Sequence, residues 1–282
     1  MKQPEKWRET IDPFSLKFNN IELIEVLGYP HAGNDVFYAK VKHNGEDVFC
    51  FIKVARNEDI NFLTEIELLN TLNLPNIPTV IDYDKNGKYI VTKEIDGERL
   101  STLVENNSNN ESLEYMQEFG KNLALIHSLS GNFKPRKHRP HMDIPSFEKL
   151  KETGLDFAFN YLTENYPASQ DLCFCHGDFH YANLLWKNKK LVAILDFELA
   201  GIGDRDFDIA WSLILRPSQK FMNTEQEINL FLQGYKEIAN FNLEKVRYYM
   251  VLIYTHFYAF KSNTQAYKDY VLNFIKAEIL KK

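Results

Sequence analysis

The stretch Cys173–Ala210 reads CFCHGDFHYANLLWKNKKLVAILDFELAGIGDRDFDIA, and it decides the fold. His176, Asp178, Asn183, Asp196, Glu198 and Asp208 fall within it. Leu184–Trp186 and Leu191–Leu195 read as two short apolar strands joined by the polar turn Lys187–Lys190. Such a hairpin would return Asp196, at the end of its second strand, to the neighbourhood of Asn183, just before its first. A carboxylate and an amide oxygen converging there would suit Mg2+, which prefers oxygen donors and keeps positions for phosphate and water. Asp178, a further carboxylate close by, could orient or deprotonate an attacking hydroxyl. Together these are the parts of a phosphoryl-transfer site.

HGDFHYAN resembles the H-G-D-x-x-x-x-N catalytic loop of the aminoglycoside phosphotransferase and choline kinase superfamily, the small-molecule branch of the protein-kinase-like fold. ILDFE and the following GIGDRDFDIA resemble that family's metal-binding aspartate segment and its G-D-x-x-x-D-[LI]-A. Protein kinases use H-R-D-x-x-x-x-N and D-F-G for the same roles. The Gly after His176 and the Phe-Glu after Asp196 favour the small-molecule branch. The resemblance implies an α+β, two-lobed fold: a small N-terminal antiparallel β-sheet lobe with one helix (residues 1–94), and a larger, mainly helical C-terminal lobe (residues 95–282). It also implies Asp178 as catalytic base, Asn183 and Asp196 as Mg2+ ligands, and ATP or GTP as phosphoryl donor. The expected reaction is Mg-dependent, in-line transfer of the γ-phosphate to a hydroxyl of a small acceptor such as an aminoglycoside. Choline, ethanolamine, thiamine or hydroxy amino acids are alternative acceptors, since such scaffolds handle them all and fold does not choose among them.

Composition is compatible with this. The 282 residues are 44% hydrophobic, enough for one large domain or two lobes with cores. No apolar run reaches a membrane span and the N-terminus lacks a signal-peptide pattern, so no membrane partner is expected. Cys50, Cys173 and Cys175 contain no C-x-x-C pair, which points to a reducing, cytoplasmic setting without a disulfide framework. A net charge of −6 argues against nucleic acid as a main partner. It is spread as −4 over residues 1–94 and −2 over the remainder, so bulk charge does not identify the acceptor.

The first third reads as strands with one helix. Ile21–Leu27 is followed by Gly28–Asn34 (GYPHAGN), a candidate phosphate-covering loop by position, with Gly33 and Asn34 nominated for the nucleotide. Val36–Val41 and Val48–Ala55 flank His43-Asn44-Gly45, a favoured hairpin turn. Lys53 lies in CFIKVA, where a lysine is costly unless paired. Asp59–Leu72 reads as a helix with Ile60, Leu63, Ile66, Leu69 and Leu72 on one stripe. By resemblance, its TEIELLNTL puts Glu65 at the glutamate that pairs with Lys53 and so positions the phosphate-binding ammonium. Glu67 lies about 160° further round the helix. Strands at Thr79–Tyr83 and Tyr89–Thr92 lead to KEIDGERL, which resembles the family's hinge and nominates Lys93, Glu94 and Ile95 for adenine.

Helices are expected over Ser112–Leu129, Ser146–Tyr166, Asp206–Leu215, Glu225–Asn240, Leu243–Lys261 and Asn263–Leu280, with a basic, proline-punctuated and solvated loop at Gly131–Pro145. His127 and most C-terminal aromatic rings read as packing residues, His176 as a buttress, and Asp208 as a loop-holding carboxylate. Asp204 and Asp206 read either as an acidic turn or as an attraction for a cationic acceptor. Three rival readings remain: a metallohydrolase built on His176, Asp178 and His180 sharing a strand face, a degenerate nucleotide-binding kinase fold, and a Cys175–His176 nucleophile pair.

Overall fold

The computed structural model describes residues 11–30, 34–56 and 62–281. The chain divides into two compact units, Met1–Gly97 with Val192–Glu198, and Glu98–Leu191 with Leu199–Lys282. The sequence reading divides it once, after residue 94. The segment around Asp196 joins the first unit because its partners are there: Ile194 N–H donates to Asn76 O at 2.7 Å, and Lys53 binds Asp196.

In the first unit, β1 (Ile21–Gly28), β2 (Asp35–His43) and β3 (Glu46–Val54) are followed by α1 (Leu63–Thr71), β4 (Val80–Tyr83) and β5 (Tyr89–Lys93). The strands form an antiparallel sheet of order β1-β2-β3-β5-β4. Asn44 and Gly45 both take positive φ at the β2–β3 turn, the backbone that Asn-Gly adopts most readily. Alternate residues Phe37, Ala39 and Val41 of β2 and Cys50, Ile52 and Val54 of β3 point into one core with Val26, Tyr89 and Val91. Helix α1 buries Glu65, Ile66, Leu68 and Leu69, while Leu63 is exposed. Of the expected stripe, Ile66 and Leu69 are thus buried and Leu72 half-buried while Leu63 departs from it, and Asp59 and Ile60 lie outside the described residues.

The second unit begins with β6 (Glu98–Arg99), α2 (Leu100–Leu103) and α3 (Leu113–His127). One helix was expected over 146–166, but two form, α4 (Phe147–Thr153) and α5 (Phe159–Glu164). Gly154 closes α4 in the left-handed conformation with its N–H on Leu150 O and Lys151 O, a glycine C-terminal cap inside an otherwise helical pattern. Then come β7 (Leu172–Cys175), β8 (Leu184–Lys187), β9 (Lys190–Ile194), β10 (Gly201–Asp204) and α6 (Arg205–Leu213). Asn188 and Lys189 supply the two positive-φ positions of the expected β8–β9 hairpin. β7 pairs with β10, which sets the catalytic-loop candidate directly after a sheet strand. The chain ends with α7 (Glu225–Lys236), α8 (Leu243–Tyr258) and α9 (Gln265–Leu280). Tyr248, Tyr249, Tyr254 and Phe257 of α8 are buried, as packing rings should be, whereas Phe260 is exposed. Among the described residues no helix is long and apolar enough to cross a membrane.

Candidate active site

The loop after β7 is held from below by one carboxylate. Asp208, fully buried in the first turns of α6, accepts the backbone N–H of His176 (3.0 Å) and of Gly177 (3.0 Å). It also faces His127 Nε2 at 3.2 Å and Arg136 at 3.3 Å. Burial alone would raise this carboxyl, but His127 and Arg136 more than offset it and hold it below the ordinary value. Gly177 has φ +79°, and a Cβ there would run into the backbone carbonyl of Leu199. The glycine of H-G-D is therefore a backbone requirement. His176 is fully buried, and its Nδ1 accepts the N–H of Asp178 at 3.2 Å.

These contacts present Asp178 on a rigid loop. Its Oδ1 accepts from Trp211 Nε1 at 2.9 Å and faces Arg139 at 3.4 Å. Its Oδ2 accepts from Asn183 Nδ2 at 3.2 Å and lies 3.5 Å from His180 Nε2. Asn183 Nδ2 also reaches the Asp178 carbonyl at 3.0 Å. Burial would raise the Asp178 carboxyl, yet His180, Arg139 and Arg216 outweigh it and hold the group well below the usual carboxylate range. His180 is lowered by burial and by Arg216, so it is neutral at pH 7. Its Nδ1 accepts Ala182 N–H, which leaves the ring proton on Nε2, toward Asp178.

Trp211, Arg136, Arg139 and Arg216 surround Asp178 and Asp208, and the sequence reading missed them. Arg139 and Arg216 lie over the Trp211 ring, at 4.1 and 5.1 Å from its centroid, and Arg139 also donates to Gly177 O at 2.9 Å. The loop read as solvated thus sends two arginines into the candidate site, Arg136 to Asp208 and Arg139 to Asp178. One signal for Trp211 was legible: it follows Asp208 by three residues, the spacing that shares a helix face.

In the first unit, Lys53 Nζ lies 3.0 Å from Glu65 Oε2, 2.8 Å from Asp196 Oδ1 and 3.2 Å from Glu198 Oε2, and 5.0 Å over the Phe62 ring. Glu67 is exposed. Burial would lower the lysine, but the three carboxylates prevail and keep it protonated. Burial raises Glu65, with Lys53 acting against it. Asp196 has φ +65°, a left-handed conformation that costs a non-glycine residue about 1 kcal/mol or more. Oxygens of Glu65, Asp196 and Glu198 all lie within 4.8 Å of one another. One ammonium against three carboxylates leaves an excess of negative charge on hard oxygen donors, a donor set that fits a divalent cation such as Mg2+.

The remaining nominations divide. Gly33 lies outside the described residues. Asn34 is buried, and its Oδ1 has no hydrogen-bond partner among the described residues. Lys93 and Glu94 commit their N–H groups to Thr79 O and Phe49 O, so Ile95 is the first hinge residue beyond these bonds. Asp204 and Asp206 are neither a solvated turn nor an exposed lure. Both are buried, Asp204 accepting from Tyr249 Oη and Asp206 N–H, and Asp206 from Asn242 N–H. The His176–Asp178–His180 metal reading fails because β7 ends at Cys175 and His176 turns inward. Among the described residues, the trios able to hold a metal are Glu65–Asp196–Glu198 and the buried His127–Cys173–Cys175. Cys175 has Cys173 as its sulfur neighbour, Sγ to Sγ 3.8 Å, with all thiols free.

Comparison with known proteins identifies a family and a fold. The family model described as "Phosphotransferase enzyme family" matches residues 30–249. An aminoglycoside 3'-phosphotransferase of Niallia circulans is 24% identical over 263 residues, covering 82% of this chain and 95% of that protein. Among solved structures, a streptomycin–ATP ternary complex of APH(2")-IIa is similar with a TM-score of 0.58 at 18% identity, covering 92% of each chain. The choline kinase LicA of Streptococcus pneumoniae is similar with a TM-score of 0.58 at 19% identity, covering 94% of this chain and 93% of that one.

Proposed function

Because this chain belongs to the phosphotransferase enzyme family, whose members transfer phosphoryl groups to hydroxyls, we propose that it moves the γ-phosphate of ATP or GTP to a hydroxyl of a small acceptor. The observation that carries this reading is the Asp178 carboxylate, fixed by Trp211, Asn183, Arg139 and His180 on a loop anchored by Asp208. A carboxylate so depressed is a weak base. Asp178 accordingly accepts a hydrogen bond from the acceptor hydroxyl and aligns it, taking the proton only late in transfer, as suits a loose transition state. Lys53, steadied by Glu65, holds the phosphates, and the backbone at Ile95 receives the base. Asn183 and Asp196 would hold Mg2+, with Glu198 beside Asp196. When bound, the ion neutralises phosphate charge.

The similarity to an aminoglycoside 3'-phosphotransferase supports starting the acceptor panel with amino sugars, followed by amino alcohols, hydroxy acids and neutral sugars. The test is ADP or GDP release with Mg2+ across that panel. Acceptor-stimulated release that falls about 10^2–10^4-fold in Asp178→Ala, with nucleotide binding retained, is the expected result. Near-wild-type turnover in that variant would sink the assignment.

A further inference from the structure

Two cysteines and a histidine meet at the root of the loop that follows β7, and phosphotransfer as derived above uses neither sulfur. Cys173 and Cys175 are residues i and i+2 of β7, so their side chains leave the strand on one face. Their Sγ atoms are 3.8 Å apart and both thiols are free and buried. His127, the last residue of α3, brings a ring nitrogen to within 4.8 Å of both sulfurs. Leu172, next to Cys173 at the start of β7, is 58% exposed, which puts the trio one residue from solvent.

This spacing is that of two thiolates on one metal ion. A tetrahedral zinc with Zn–S bonds of about 2.3 Å holds its sulfurs about 3.8 Å apart, and two cysteines with one histidine are an established zinc ligand set. Thiolate and imidazole donors also favour Zn2+ over a hard cation such as Mg2+. His127 has the orientation of a metal-bound imidazole. Its Nε2 lies 3.2 Å from Asp208 Oδ2, and metal-bound histidines characteristically give their second ring N–H to a carboxylate. Nδ1 is then the ligand atom. It stands 2.7 Å from Tyr235 Oη, close enough to both sulfurs to feel their charge, which is the oxygen at hand for a fourth position. A metal-bound thiol must be ionised. Cys175 as hydrogen-bond donor, then His127 and the Arg205 guanidinium, favour the Cys173 thiolate against its burial. Arg205 pairs with Asp171 at 3.2 Å, yet its Nε is buried with no hydrogen-bond partner among the described residues, a donor that an ionised sulfur would satisfy.

We propose that His127, Cys173 and Cys175 form a zinc site, separate from the Glu65–Asp196–Glu198 oxygens and independent of the phosphotransfer reading. Asp208 also accepts the His176 and Gly177 N–H groups, so the ion sits one carboxylate away from the loop that carries Asp178. The test titrates the reduced full-length protein, without oxygen, with Co2+ as a spectroscopic substitute for zinc. One Co2+ per chain should give a thiolate-to-cobalt charge-transfer band with intense tetrahedral d–d bands, all removed by one equivalent of Zn2+. Cobalt held by carboxylates alone gives no thiolate band. Cys173→Ala and Cys175→Ala should each weaken binding by more than the roughly 10–100-fold that losing an outer hydrogen-bond partner costs. Cys50→Ala, in the core of the first unit, should leave the bands intact. X-ray absorption on the zinc-loaded wild type needs no variant to fold. It should find two sulfurs at about 2.3 Å and a nitrogen at about 2.0 Å. A cobalt spectrum without the charge-transfer band, bands that survive in Cys173→Ala, or a zinc shell made only of oxygens would overturn the proposal.

Discussion

Asp178 has a carboxyl held well below the usual range by His180, Arg139 and Arg216 against its burial, so it is ionised throughout the pH range in which such an enzyme works. A group already deprotonated below pH 4 produces no limb in a kcat/KM profile above about pH 5. The profile of the wild type should therefore show no acidic limb from Asp178 between pH 5.5 and 7. An acid limb that disappears in Asp178→Asn would contradict this. Gly177 makes the second residue-scale prediction. Its positive φ and the Leu199 carbonyl against its Cα leave no space for a methyl group, so Gly177→Ala should lose about 2–4 kcal/mol of stability in denaturant titration. Phosphotransfer should fall with it, because Asp208 grips the Gly177 N–H.

Helix α6 gathers three of the site contacts on one element. Asp204 caps it, Asp208 grips the loop after β7, and Trp211 reaches Asp178. Asp206, on the same helix, is a stability cost. Burial first, and Asp204 after it, push its carboxyl up to about 6 despite the Asn242 N–H bond. An acid whose folded value exceeds its unfolded value holds its proton more tightly when folded. Stability is thus lost as pH rises from about 4 to about 6, and the loss is complete above that. Asp206→Asn retains an acceptor for Asn242 N–H without the charge. It should gain about 1–3 kcal/mol at pH 7.5, a gain that fades toward pH 4 in pH-resolved thermal melts. A gain independent of pH would show that the charge is not its cause.

For the whole molecule, nucleotide and Mg2+ binding should register as stabilisation. A ligand of the folded state at a hundred times its Kd contributes about 2.7 kcal/mol, which for a chain of this size raises Tm by several degrees. Mg-ATP or Mg-GTP should produce that shift. Removing Mg2+ with a chelator, or replacing Lys53 with Met, should abolish most of it. A full shift in Lys53→Met would take the phosphate role away from the Lys53–Glu65 pair.

The sequence by itself determined the elements and the motif residues. Hairpin turns at Asn44-Gly45 and Asn188-Lys189, strand alternation through Phe37–Val41 and the apolar face of Leu113–His127 are all local backbone and burial preferences that short stretches encode. The H-G-D-x-x-x-x-N spacing is similarly local, since Gly177, Asp178 and Asn183 occupy one loop. The break of the 146–166 helix at Gly154 was legible as a glycine cap but masked by the apolar pattern around it. Only the tertiary structure decided what surrounds the Asp178 carboxylate. Arg139 and Trp211 stand 39 and 33 residues from Asp178, and no periodicity links a proline-rich loop to a helix across that distance. Burial had the same origin: Asp204 and Asp206 look like a solvated turn until Tyr249 and Asn242 close over them. Desolvation and paired charge arise only when distant segments pack, so the electrostatics of this site belong to the fold and its chemistry to the motif.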